Sequence, residues 1–131
     1  MNGTRITEDE VYRFILNQID SVPHMEALLL LWESRPKQWS DSEIAERLYV
    51  GTDFARNIVQ DLVRRRVLAT ETQSPSRYWY ESKSGDLDRL VEAVAATYRR
   101  DLVRVSTFIH TKASSAVRDF AQAFKFTKER D

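Results

Sequence analysis

The chain has 131 residues, 42% of them hydrophobic and 31% charged, with twenty basic side chains set against twenty acidic ones. That length suits a single domain, residues 1–131, able to bury a core without staples, and the absence of cysteine excludes disulfides, thiolate metal sites and a cysteine nucleophile. Zero net charge withholds the simplest argument for a nucleic-acid partner, and no segment is strongly basic: residues 40–66 carry five bases and five acids.

The N-terminal residues MNGTRITEDEVYRF hold no apolar stretch of signal-peptide type, and the longest apolar run, Ala27 to Trp32, is far too short to span a bilayer. A soluble cytoplasmic protein with no membrane partner is the expectation. Thr7 and Glu10 form a T-x-x-E capping box, with Ile6 and Val11 placed as a hydrophobic staple, which predicts a first helix from Glu8 to Asp20. Ser21, Val22 and Pro23 punctuate the chain, and Pro23 is tolerated only in the first turn of the next helix. That second helix is HMEALLLLWES, whose near-continuous apolar run predicts a central core element.

Trp39, Ser40, Glu43 and Ile44 repeat the start signal, so a third helix is predicted over Asp41–Leu48 with Ile44, Ala45 and Leu48 inward. Gly51 is assigned the tight turn and Thr52 the N-cap of a fourth helix ending near Arg65. On that helix Ala55, Ile58, Val59 and Leu62 share one face. The period then changes from helical to alternating. VLATETQ and RYWYES, joined through Ser74, Pro75 and Ser76, predict a β-hairpin in which Tyr78 and Tyr80 share one face and Trp79 takes the other. From Asp86 a helical stripe runs through Leu87, Val91, Val94, Tyr98, Leu102, Val105 and Ile109, a break is expected around Thr111–Ser114, and a last helix turns Ala116, Val117, Phe120, Ala121 and Phe124 inward.

This is a mainly α chain with a small β-hairpin wing: a winged helix-turn-helix core over about residues 7–82, followed by additional C-terminal helices over about 86–131. The stretch EIAERLYVGTDFARNIVQDLVRRRVL resembles the segment in MarR-like bacterial transcriptional regulators. In those proteins a small residue in the first helix, a tight turn, and a leucine followed by a short basic stretch and an apolar pair lead into the wing. Arg66 stands where such proteins often carry a glycine that closes the recognition helix. The resemblance implies a bacterial DNA-binding regulator acting as a homodimer on double-stranded DNA, with helix 52–65 in the major groove and the 67–82 hairpin as wing.

If the apolar stripe of the fourth helix faces the core, Asp53, Phe54, Arg56, Asn57, Gln60 and Arg64 face out. Arg56 is then a candidate for guanine and Asn57 or Gln60 for adenine, while Phe54, odd on a solvated face, is a candidate for a thymine methyl, for covering core residues of the second helix or for docking a partner. Thr52 at the helix start and Arg77 near the wing tip are candidates for phosphate. The plainer alternative makes Arg56, Arg64, Arg65 and Arg66 a solvated face and charges that complement a helix C-terminus, which accounts for the last three with no ligand. Tyr98, Leu102, Val105, Phe108, Phe120 and Phe124 are the candidate dimerisation residues, because their bulk exceeds what the first helix can cover.

A second reading is a winged-helix module whose partner is another protein, which charge neutrality favours. Catalysis finds no support. His24 and His110 are the only histidines and fall on different helices, and Gly3, Gly51 and Gly85 are isolated, so no phosphate loop exists. No metal site and no cofactor are predicted.

Overall fold

A computed structural model of the chain describes residues 5–71 and 76–113, and within them the predicted element order is present. Helix α1 (Glu8–Gln18) opens on the capping box, with Thr7 Oγ1 accepting from the Glu10 amide at 3.1 Å and the Glu10 carboxylate accepting from the Thr7 amide at 3.3 Å. It stops two residues before the predicted end, because Ile19 takes an extended conformation at φ −118°. Helix α2 (Val22–Glu33) is capped by Ser21 and tolerates Pro23 in its first turn, where the missing amide proton has no helical acceptor. Met25, Ala27, Leu28, Leu29 and Leu31 are all buried, so α2 is the central element that its unbroken apolar run predicts.

Helix α3 (Asp41–Leu48) carries the second capping box, Ser40 with Glu43, and α4 (Thr52–Arg64) follows after three residues. Ile44 and Ala45 of α3 pack with Ala55, Ile58, Val59 and Leu62 of α4, all inaccessible or nearly so, and each large one contributes about 1.5–3 kcal/mol of transfer free energy. The turn between these helices differs from expectation. Tyr49, not Gly51, takes the left-handed conformation at φ 59°, ψ 45°, which frees Gly51 to adopt an extended φ of −70°. Gly51 is then the N-cap of α4 and Thr52 its first residue, so the predicted Thr52 cap is one residue late and no side chain caps the helix.

Arg66 closes α4 at φ 63°, performing with a side chain the turn that glycine makes more easily. Strands β1 (Ala69–Glu71) and β2 (Arg77–Trp79) pair antiparallel with Thr70 opposite Tyr78. Trp39 adds a bridge on the other side of β2, exchanging two backbone hydrogen bonds of 2.8 Å with Tyr78, so the wing is stitched to the start of α3. Tyr78 and Tyr80 are buried and Trp79 is only partly so, as the alternation predicts.

Helix α5 (Gly85–Arg100) buries Val91, Val94, Ala95 and Tyr98. The chain breaks at Asp101, ten residues before the predicted break, and turns helical again over residues 102–113 (α6). Sequence periodicity misses this break because the stripe resumes in phase, with Val105 and Ile109 fully buried. Helix α6 lies parallel to α1: Arg104 pairs with Glu8 at 3.6 Å, Phe108 meets Tyr12 edge-on at 5.0 Å, and Lys112 Nζ donates to the carbonyls of Ile15 and Ile19 at 3.0 and 2.5 Å. Tyr98 donates to Glu26, and Arg99 pairs with Glu33, joining α5 to α2. The predicted last helix with Phe120 and Phe124 lies outside the described residues. Among the described residues no helix is long and apolar enough to cross a membrane.

Candidate nucleic-acid interface

Helix α4 has an apolar inner face and a polar outer one because its stripe recurs at helical spacing, and burial of Ala55, Ile58, Val59 and Leu62 fixes which residues point away. Phe54 is 49% exposed, and Asn57, Gln60 and Arg64 are exposed as predicted. Gln60, Val63 and Arg64 form one wall of a cleft of about 260 Å³, and Thr70, Ser76 and Tyr78 of the hairpin form the other. Helix and wing therefore present a continuous outer edge, with Arg77 half-buried at the start of β2. Thr52 is half-buried at the first position of α4.

The arginines do not stand free along this edge. Arg56 donates from Nε to Asp41 Oδ2 at 2.7 Å and from Nη1 to Asp53 Oδ1 at 2.9 Å, spanning α3 and α4. The hydrogen bond and charge of Asp41, aided by Asp53, push the guanidinium pKa further up. Arg64 donates to Asp61 at 2.7 Å. Arg65 caps the end of α4 and reaches back to the Asn17 carbonyl and to Asp20, both at 2.6 Å. Arg64 and Arg65 are thus each ion-paired at the end of α4. Among the described residues, no carboxylate lies within ion-pairing distance of Arg66 or Arg77.

Behind the helix, His24 joins Ser21 Oγ at 2.6 Å to Asp61 Oδ2 at 2.9 Å, tying the start of α2 to α4. Burial raises the Asp61 pKa, but hydrogen bonds from His24 and Arg64 and the charges of His24 and Arg65 outweigh it, leaving the carboxyl below its ordinary range. Asp20, His24 and Asp61 bring three donor atoms within 4.8 Å of one another. Arg64, Arg65 and Lys112 already contact the two carboxylates, so a dication would enter a cluster whose negative charge is fully matched. The cluster is a tie between helices. A separate crevice of about 530 Å³ between α2, α3 and α5 is lined by Leu29, Leu30, Arg47, Leu48, Tyr98 and Leu102, among others.

The candidate dimerisation residues separate into three groups. Tyr98 and Val105 are buried within the chain, against the elements around α1 and α2, so their area is not open to a second copy in this arrangement. Phe108 is half-covered by Tyr12, whereas Leu102 is 51% exposed and its neighbour Val103 77%. Phe120 and Phe124 lie outside the described residues. Sequence reasoning did not reach Tyr49, which is 94% exposed in the turn beside α4, nor the Asp41 partner of Arg56. No periodic signal links residues fifteen positions apart on different helices.

No protein-family model matches the chain, and no curated protein matches it either. Solved structures do. The DNA complex of MepR from S. aureus superposes with a TM-score of 0.53 at 12% identity, covering 95% of this chain and 91% of that one. A MarR family protein from Bacillus stearothermophilus gives 0.51 at 16% identity over 94% and 83% of the two chains. The transcriptional regulator Tm0710 from Thermotoga maritima gives 0.51 at 15% identity over 94% and 86%. At these identities the likeness is one of fold: the chain has the winged helix-turn-helix architecture of the MarR proteins, over nearly its whole length.

Proposed function

We propose that this chain is a DNA-binding transcriptional regulator of bacterial type that acts in the cytoplasm, with α4 as the helix read against the major groove and the β1–β2 hairpin as the wing on the flanking backbone. The observation that carries this reading is the single outer edge made by α4 and the hairpin, with Asn57 and Gln60 exposed on the helix and the 260 Å³ cleft joining the two. The full-length likeness to MepR, a protein solved on DNA, supports it at the level of the fold. In such an arrangement α3 braces the backbone while α4 presents side chains to base edges. Arg66 and Arg77, without carboxylate partners among the described residues, and Thr52 at the start of α4 are the phosphate contacts in this reading.

A neutral monomer supplies little phosphate neutralisation, so the reading includes a homodimer that doubles each contact, with Leu102 and Val103 at the start of α6 in its interface. Titration into random duplex at low salt, and again at about 0.2 M, tests it. Binding that weakens steeply with salt is the expected result, and Arg77→Ala should reduce the slope by about one unit while lowering affinity alike for every sequence. Absence of binding at low salt would overturn the reading in favour of a protein-docking winged helix, which the ion-paired state of Arg56, Arg64 and Arg65 favours.

A further inference from the structure

We infer that the half-site is read as a run of A·T pairs, with Phe54, Asn57 and Gln60 as the specificity-determining residues and Arg56 withheld from guanine. The inference rests on the proposed placement of α4 in the major groove. Guanine is read by two guanidinium N–H groups held in parallel toward its O6 and N7 atoms. In Arg56, Nε is committed to Asp41 and Nη1 to Asp53, so both edges of the fork that include these atoms are engaged with the protein. Two carboxylates surround one guanidinium here. Asp41 sits in the first turn of α3 and Asp53 in the first turn of α4, where the helix dipoles keep both carboxylates ionised and able to accept from the arginine. Arg56 is thus a brace between the two helices.

Arg64, the other arginine on this face of α4, is held through Nη2 by Asp61, and the exposed side chains of α4 with no hydrogen-bonded partner among the described residues are Phe54, Asn57 and Gln60. Phe54 leaves about half its surface in water although it is the most apolar residue on this face, and Asn57 and Gln60 come after it at successive intervals of three residues. Each interval advances about 4.5 Å along the helix, comparable to the rise of one base pair or slightly more. Asparagine and glutamine match the donor–acceptor pair of adenine N6 and N7, and an aromatic ring matches the thymine C5-methyl. Gln60 also lines the cleft against the wing, which restricts the arc over which its amide swings.

Selection of binding sites from random duplexes by the full chain tests this, followed by replacement of each preferred thymine with uracil, which deletes only the methyl group. A·T pairs should be enriched at consecutive contacted positions. One uracil should weaken binding about fourfold, the value of one buried methyl group, and Phe54→Ala should abolish that thymine–uracil difference. Asp41→Asn combined with Asp53→Asn releases Arg56 and should raise affinity for guanine at one position roughly tenfold. Enrichment of guanine by the parent chain, or indifference to uracil at every position, would overturn the inference while leaving DNA binding intact. Failure to bind any duplex at low salt would instead overturn the functional reading beneath it.

Discussion

Exchanging the two residues that frame the helix-turn-helix turn should stabilise the protein. Tyr49 occupies the left-handed region at φ 59°, ψ 45°, and Gly51, two residues on, occupies an extended conformation open to any residue. The left-handed conformation costs a side-chain-bearing residue about 1–2 kcal/mol, and glycine returns about 0.5–1 kcal/mol of that through its larger unfolded-state entropy. Because Tyr49 is 94% exposed, its ring contributes little burial to set against the gain, so Tyr49→Gly should add about 0.5–1 kcal/mol. A Cβ built on Gly51 meets nothing within 4 Å, so Gly51→Ser is accommodated. It should add about 0.4–1 kcal/mol by restricting the unfolded chain, and the serine hydroxyl also supplies the side-chain cap that α4 lacks. Urea unfolding of the two single variants and the double variant measures each step at constant m-value. A lower stability for Tyr49→Gly would refute the strain argument. A stabilised Tyr49→Gly that binds DNA poorly would mean that the tyrosine is kept in a costly conformation for contact.

The core and the charges give two further outcomes. Leu62→Ala, at a fully buried position of α4, should cost about 2–5 kcal/mol in urea unfolding, and a loss under 1 kcal/mol would show that the helix end is loosely packed. Asp61 and Asp88 are held below their ordinary value of 3.8. Asp61 is so held by His24 and Arg64 against the opposing effect of burial, and Asp88 by Ser82 and Tyr80. In that window the unfolded chain binds more protons, so their contribution is present above 3.8 and is lost as pH falls through the lower folded values. Stability measured from pH 6 down to pH 3 should therefore drop, with a shallower acid limb in Asp61→Asn, and an unchanged limb in that variant would remove Asp61 from the account.

What was legible in the sequence was local. Thr7 with Glu10 and Ser40 with Glu43 are three residues apart, and each pair names its helix start because the reciprocal hydrogen bonds require that spacing. The inward stripe of α4 was equally plain, and with it the set of residues that face out. Which of those residues are available to a ligand was not legible. Arg56 looks like a reader of bases until Asp41, on another helix, takes its Nε. The same limit applies to Tyr98 and Val105, whose periodicity gives a buried face without saying whether the chain or a partner covers it. The turn misled for a different reason: Gly51 is the residue that most easily adopts a left-handed φ, yet the backbone needs it two positions earlier, and the exposed Tyr49 bears the cost.

The contact between Lys112 and the end of α1 bears on how the protein is made. Its ammonium group, pushed to a lower pKa by burial despite Asp20, meets carbonyls 97 and 93 positions upstream. On a ribosome, Ile15 and Ile19 emerge early, together with Asp20, and Asp20 must wait for Arg65 and then for Lys112. The end of α4 is fastened through Arg65 to this same place. A nascent chain that has released α3, α4 and the hairpin therefore still lacks the final clasp at the place where α4 is fastened. The described residues acquire their finished geometry only once Lys112 has emerged, so a translation product interrupted before it would carry α4 fastened to an α1 end that still lacks this clasp.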